Sequence, residues 1–396
     1  MQLTRGLLAF ILFFSGATGL YSQENNSGKR NPIEVNFLLD YYTQTGDHSA
    51  VTGGNGTEQL HDSAPMIIVN LPIKSNQQLS LNLGVDVYSS ASSDNIDPVV
   101  SGASSGDTRT HVNVGYHITN PNSTTTYGIN LGVSAEYDYR SFSFGANWAK
   151  SSLDGNRELN VSGQAFLDNL DLITPFELRP PEQQIHNEEL SYPSTGRKTY
   201  NLSVTYSQVL SKRAQASINT DVVYQTGYLA TPFHRVYFSG ESLPRIERLP
   251  STRFKLPVAL RFNYYVNDFL ITRLYYRYFR DDFKITANTF DIELPLRISR
   301  AISIKPFYRY HHQSRAKYFA KFGQHQPDDA YYTSDYDLAA FHSNKYGFGL
   351  RYYPLTSILG NKALGLKRVD LRFARYNRSD GLSAFTVSLG LTAIIY

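Results

Sequence analysis

Hydrophobic and polar residues alternate through most of this chain. The alternation is clearest in 79–88, where Leu, Leu, Leu, Val and Val take the odd positions and Ser, Asn, Gly, Asp and Tyr the even ones. The same period recurs in 127–139, 256–266 and 385–395. A period of two residues is typical of β-strands with two different faces. The pattern therefore predicts an all-β protein.

The length of these segments favours a membrane barrel over a soluble sandwich. They run for about 10–14 residues, which matches a tilted membrane-crossing strand. Strands of soluble proteins average about five or six residues. Counting segments from Ile33 to Tyr396 predicts a transmembrane antiparallel β-barrel of about 16 strands, with both ends on the same side.

The connections between the segments fall into a short set and a long set. Tight turns are predicted at 74–77, 120–123, 153–156, 211–213, 267–268 and 299–301. Long polar loops are predicted near 45–62, 90–107, 171–197, 230–253 and 321–342. Short periplasmic turns and long extracellular loops are typical of bacterial outer-membrane barrels.

The N-terminal residues predict export. Arg5 precedes an apolar run, 6–14, and small residues follow in 15–19. This order is that of a secretory signal peptide, with cleavage after Gly19 or Ser22, although a retained anchor is the alternative. The predicted organisation is a signal peptide at 1–22 and a barrel at 23–396.

Composition narrows the function classes. The 396 residues include 30 Tyr and 23 Phe, which suit a boundary between hydrocarbon and water. Mean hydropathy is −0.35, which argues against a bundle of membrane helices. Cysteine is absent, so disulfides, thiolate metal sites and Cys nucleophiles are excluded. The net charge of +4 is mild and dispersed, so nucleic acid is not an expected partner. The expected partners are outer-membrane lipid and other envelope proteins.

The strand register predicts two charged walls inside the barrel. The acidic wall comes from the first half of the chain, with Glu34, Asp40, Asp86, Glu136 and Asp138. The basic wall comes from the second half, with Arg261, Arg273, Arg277, Arg297, Arg309 and Arg351. Opposed walls would create a transverse field that orients polar solutes. The alternative is that these groups pair across a filled lumen and only stabilise it.

The loops over the first four strands concentrate carboxylates and imidazoles. The candidate metal or ligand residues are Asp47, His48, Glu58, His61, Asp62, Asp94, Asp97, Asp107 and His111. Oxygen-rich loops suit calcium, and His with Asp suits zinc, copper or iron. No cofactor is expected beyond a divalent metal here. Solvated turn chemistry is the alternative, because turns favour the same residues.

Two further interpretations concern the loop ends. A rim hydrolase could use His48, Ser49, His61, Asp62 and His111, but no nucleophile elbow or zinc-protease motif is present, so no catalytic residues are assigned. The segment 308–312, with the acidic residues and histidines of 325–342, is interpreted as an extended strand top followed by a solvated loop.

The segments 40–44, 49–54, 56–58, 86–97 and 107–111 resemble a family of Bacteroidota outer-membrane proteins catalogued as domain of unknown function 3570. The resemblance implies an outer-membrane location and brings no catalytic residues. Nearby flavin-attachment and thioredoxin-like genes in that family suggest an envelope redox assembly.

The leading hypothesis is therefore porin-like passage or binding of a small polar or charged solute. The alternative is a non-conducting barrel that acts as a scaffold, or as a metal- or ligand-binding component, of an envelope assembly.

Overall fold

The computed structural model describes residues 31–89, 106–180, 192–354 and 364–396. The predicted signal peptide lies outside these residues. The strands are β1 Ile33–Gly46, β2 Glu58–Lys74, β3 Gln77–Ser89, β4 Gly106–Asn120, β5 Thr125–Ala135, β6 Tyr139–Ser151, β7 Arg157–Asp171, β8 Ser194–Ser211, β9 Ala214–Gly227, β10 Arg235–Val236, β11 Arg245–Ile246, β12 Thr252–Asn267, β13 Leu270–Asp281, β14 Thr286–Glu293, β15 Leu296–Arg297, β16 Ile302–Gln313, β17 Phe341–Tyr352, β18 Leu364–Arg378 and β19 Ser383–Ile395.

Each wall strand pairs antiparallel with its neighbours in the chain. The circle closes because β1 pairs with both β2 and β19. The sheet has 17 strands, and β14 and β15 share one position, so the wall is a closed barrel of 16 strands. Pro295 separates β14 from β15, since proline has no N–H for the ladder. The predicted fold class is confirmed.

The outer face of the barrel carries exposed apolar side chains. On β5, Ile129, Leu131 and Val133 are each more than half exposed, and they alternate with Gly128, Asn130 and Gly132. Other wall strands carry the same kind of surface, for example with Phe144, Leu202 and Leu260. A continuous apolar band of this kind suits contact with hydrocarbon and would be unfavourable in water. Among the described residues, no helix is long and apolar enough to cross a membrane.

The two ends of the barrel differ as predicted. At the turn end, the six predicted tight turns each join consecutive wall strands. The connection from β17 to β18 is longer, and its residues 355–363 lie outside the described ranges. At the loop end, most connections are long, and short ones occur at 136–138, 282–285 and 379–382.

Four long connections at the loop end are named loop 1 (47–57), loop 2 (172–193), loop 3 (228–251) and loop 4 (314–340). Their described residues pack together and are called the cap. The guanidinium of Arg235 in loop 3 donates to the carbonyl of Val51 in loop 1 at 2.7 Å and to Glu177 in loop 2 at 2.6 Å. Phe238 of loop 3 packs edge-on against Tyr332 of loop 4, with ring centroids 4.8 Å apart.

The cap has a core of its own. Val236, Phe238 and Tyr332 form one buried cluster. A second cluster joins Phe283 and Ile285, from the connection between β13 and β14, to Ala316, Phe319 and Ala339 at the edges of loop 4. The interpretation of the 325–342 segment as a solvated loop was wrong for His325 and Thr333, which are buried, whereas residues 326–331 are exposed.

Candidate functional site: the charged lumen and the capped mouth

Along each wall strand, the charged residues that face the lumen alternate with the apolar residues of the outer face. Asp40 pairs in register with Ser388, and Asp86 with Arg109. Glu136 accepts a hydrogen bond of 2.7 Å from the Tyr88 hydroxyl. The other predicted acids are Glu34, at the turn end of β1, and Asp138, in the connection between β5 and β6.

The basic residues of the second half also face the lumen, but most have acidic partners on the same wall. Arg309 pairs with Asp291 at 2.7 Å, and both Arg273 and Arg372 reach Glu293 at 2.9 Å. Asp370 receives Arg351 at 2.6 Å and Lys305 at 3.3 Å. Arg297 lies at the turn end of β15. The walls are therefore locally compensated. The sequence interpretation missed the acids because it grouped charges by chain half and not by neighbouring strand.

Three of the predicted basic residues, Arg261, Arg277 and Arg297, have no carboxylate partner among the described residues. Arg261 lies over the ring of Tyr275, with 5.3 Å from the guanidinium carbon to the ring centroid. The Nε of Arg277 is buried without a hydrogen-bond partner. These two side chains leave positive charge on the wall formed by β12 and β13.

The acidic wall is compensated only in part, and Oδ1 of Asp62, on the lumen side of β2, is buried without a hydrogen-bond partner. Arg109 lies 3.7 Å from Glu136 and 4.0 Å from Asp86. Asp168 pairs with Arg197 at 2.9 Å. Each wall therefore combines a majority charge with a few counter-charges, and the contacts run along the wall between adjacent or nearby strands.

Charged side chains near the middle of the lumen remain open to solvent. Arg309, on β16, is 46% exposed, and Arg372, on β18, is 42% exposed, although both make ion pairs. Side chains that filled the lumen would bury such groups. A barrel of this strand number is also too wide for its own side chains to fill.

The cap extends across the mouth of the barrel. One cavity, of about 530 Å³, lies between loops 1, 3 and 4 and the lumen side of β1, β2 and β18. Its lining includes Tyr42, Glu58, His234, Asp335 and Arg378. A second cavity, of about 330 Å³, lies against β4 to β8. Residues 231 and 233 of loop 3 line both cavities, so this segment separates the two openings.

Arg378 fixes loop 4 to the barrel wall. Its guanidinium contacts Asp337 and Asp380, and it donates to the carbonyl of Tyr336 at 2.8 Å. The guanidinium also lies 4.1 Å from the centroid of the Phe341 ring. The side chain is almost fully buried, so its charge is compensated by these neighbours rather than by water.

The predicted rim residues do not form one group. Asp47, His48 and Glu58 line the larger cavity, and His48 stacks on Tyr336 with centroids 3.8 Å apart. The remaining predicted rim residues are distributed elsewhere. Asp62 is on the lumen side of β2, His61 is exposed on the opposite face, His111 is 4.0 Å from Asp86, and Asp107 groups with Glu136 and Asp138. Asp94 and Asp97 lie outside the described residues.

The hydrolase residues are also not assembled. Ser49 is fully buried, and its Oγ has no hydrogen-bond partner. His61 is on the outer face of β2, and His111 is on β4, with β3 between them. The described residues thus contain no hydrogen-bonded nucleophile and base drawn from this set.

The structure brings together a group that the sequence interpretation missed. Ligand atoms of His234, Glu247 and Asp335 lie within 4.8 Å of one another inside the cap. Burial alone would lower the pKa of His234, but the carboxylate of Glu247 and those of Asp335 and Asp337 outweigh it and raise that pKa. Burial, together with Asp337, raises the pKa of Asp335 to about 6.

A second group consists only of carboxylates. Asp107, Glu136 and Asp138 approach one another beside the smaller cavity. Burial is the main cause that raises the pKa of Asp138 to about 6, and Asp107 and Glu136 add to it.

A family model described as "Protein of unknown function (DUF3570)" matches residues 15–381. The chain belongs to this family, so the family named by the resemblance is confirmed. A comparison with curated protein sequences finds no match.

Comparison with solved structures finds other barrels. A bacterial polysaccharide outer membrane secretin is 10% identical with a TM-score of 0.47, covering 92% of this chain and 99% of that chain. A ferric enterobactin receptor mutant from Pseudomonas aeruginosa is 10% identical with a TM-score of 0.44. The match covers 87% of this chain and 53% of that chain. Pseudomonas aeruginosa OpdK with vanillate is 8% identical with a TM-score of 0.40. The match covers 92% of this chain and 98% of that chain.

Proposed function

We propose that this protein is an outer-membrane barrel through which a small charged solute passes or in which it binds. In the outer membrane, the turn end of the barrel would face the periplasm and the cap would face the outside of the cell. The outward apolar band supports a position in lipid, with lipid as the surrounding partner. The lumen and the cavities beneath the cap offer charged side chains to a polar solute.

The exposure of charged side chains in mid-lumen carries this proposal. Arg309 and Arg372 keep more than two fifths of their side-chain surface accessible while they pair with Asp291 and Glu293. Such exposure supports water in the lumen. Water and fixed charges together are what a small ion needs in order to leave bulk solution.

On one part of the lumen wall, formed by β12 and β13, uncompensated positive charge favours anions. Arg261 and Arg277 add positive charge to β12 and β13 that no described carboxylate offsets. Local anion concentration rises beside uncompensated positive charge. The electric field across the lumen would then be weaker than the field between two fully charged walls. It would still run between the basic wall and the acidic wall, as predicted.

Ion selectivity tests this proposal through one arginine. The reversal potential of the protein in a planar bilayer is measured across a KCl gradient for the natural chain and for Arg277→Gln. We expect anion preference in the natural chain and a shift towards cations in the variant. Because Arg277 has no described carboxylate partner, its removal leaves no acid unpaired.

Arg280→Gln is the matched control. This residue is on the same strand, and the alternation of β13 places it on the outer face. The variant loses the same charge and should keep the reversal potential of the natural chain. Equal shifts in both variants, or cation preference in the natural chain, would contradict the proposed anion preference.

The cap favours the second candidate function, a non-conducting barrel. Loop 3 crosses the mouth and separates its two openings, which supports a role as a scaffold or ligand-binding component of an envelope assembly. Other envelope proteins would then be partners at the cap. Protein that remains electrically silent in the bilayer experiment while folded would favour this function.

A further inference from the structure

A small hairpin in loop 3 places a histidine and a glutamate opposite each other. β10 and β11 pair Arg235 with Ile246, so the next residues outward on the two strands are His234 and Glu247. The backbone N–H of Glu247 donates to the carbonyl of His234 at 3.1 Å, which holds the pair together. Side chains of such cross-strand neighbours lie close enough to share one ligand.

Loop 4 brings a second carboxylate to this pair. Arg248, next to Glu247, exchanges two backbone hydrogen bonds with Tyr332, at 3.1 and 2.8 Å. This bridge aligns loop 4 with the hairpin, and Asp335 follows three residues after Tyr332. The nitrogen of His234 and the oxygens of Glu247 and Asp335 consequently lie within 4.8 Å of one another.

The polar atoms of the group are not satisfied by one another. The Nδ1 of His234 is buried without a hydrogen-bond partner, and it lies 3.7 Å from Oε1 of Glu247, too far for a hydrogen bond. Two ligands of one metal ion, at about 2.1 Å from it and at a tetrahedral angle, lie about 3.4 Å apart. The gap between these two atoms therefore suits a bridging ion better than a direct contact.

The neighbours of the carboxylates hold them in place without using all their oxygen lone pairs. The N–H of Thr231 donates to Oε2 of Glu247 at 2.7 Å, and the hydroxyl of Thr333 donates to Oε1. The N–H of Asp337 donates to Asp335 at 2.9 Å. Hydrogen bonds of this kind orient metal-binding side chains in known sites.

We propose that His234, Glu247 and Asp335 bind a divalent first-row transition metal ion. One imidazole and two carboxylates suit zinc, manganese or iron in their divalent states. Two of the residues also line the larger cavity, so water or a ligand from the cavity can complete the coordination. The ion fastens loop 3 to loop 4. This site does not depend on whether the lumen conducts.

Zinc binding to the full-length folded protein tests the proposal. The protein is treated with EDTA and titrated with Zn²⁺ by calorimetry, and Co²⁺ absorption in the visible range reports the coordination. We expect one Zn²⁺ per chain. Loss of a ligand in His234→Gln or Asp335→Asn should weaken binding by about 100-fold or more. The two residues lie on different loops, so a folding defect in one variant leaves the other to decide.

His48→Gln is the control. His48 lines the same cavity, but its Nδ1 lies 3.0 Å from the carbonyl of Gly54 and it is outside the group. This variant should bind Zn²⁺ as the natural chain does. No binding by the natural chain would overturn the proposal and leave His234 and Glu247 as an ordinary buried ion pair. Equal binding by all variants would also overturn it, because the ion would then lie elsewhere.

Discussion

At the scale of single residues, a few buried arginines hold the cap together. Arg235 reaches two loops other than its own, because its planar guanidinium offers donors in several directions. Both oxygens of Glu177 accept from it, at 2.6 and 2.9 Å. This bidentate pair, beside a buried carbonyl, is a stronger contact than an exposed ion pair.

We expect Arg235→Ala to loosen loops 1 and 2. The substitution leaves the buried carbonyl of Val51 without its donor. A buried acceptor without a donor reduces folding stability by about 1–3 kcal/mol. Hydrogen–deuterium exchange measures the effect, and protection in 50–53 should fall by about 10-fold, the equivalent of roughly 1.4 kcal/mol. Lys321→Ala removes an exposed charge of the cap and should change nothing. Unchanged protection in Arg235→Ala would mean that apolar packing alone holds loop 1.

At the scale of elements, the wall strands could be predicted but the cap could not. The alternation at 79–88 and 385–395 falls inside β3 and β19, because lipid and lumen impose opposite demands on successive residues. Loop 3 has no such period. Its hairpin, β10 and β11, is two residues long on each side and is stabilised by contacts with distant loops.

The exit of the chain from β9 into loop 3 depends on a glycine. Gly227 has φ of +110°, and an added Cβ would lie 2.2 Å from the carbonyl oxygen of Gly196. Its N–H donates to Ser251 at 2.8 Å, which closes the base of loop 3. The chain can adopt this backbone conformation here because this residue has no side chain.

Gly227→Ala should therefore destabilise the base of loop 3 by about 1–3 kcal/mol or more, from backbone strain together with the clash. The measurement is the temperature at which the folded form is lost, followed by gel migration without heating. Gly365→Ala is the matched control, because its Cβ would meet nothing within 4 Å. Equal temperatures for the two variants would show that the backbone at 227 can adjust freely.

At the scale of the whole molecule, the sequence predicted the barrel and the lumen charges better than any binding site. The predicted metal candidates were grouped because they follow one another along the first strands. The structure instead brings together His234, Glu247 and Asp335, from two loops and up to 101 positions apart (335 minus 234). The packing of loops 3 and 4 brings these three residues together, and their spacing in the sequence does not predict it.

In the proposed function, the lumen holds water and fixed charge and opens past the cap. Single-channel conductance of the refolded natural protein in a planar bilayer with symmetric KCl tests it most directly. We expect discrete open levels from protein that migrates as a folded barrel without heating. Silence from such protein, in repeated insertions, would rule out an open lumen and show that the cap closes the mouth.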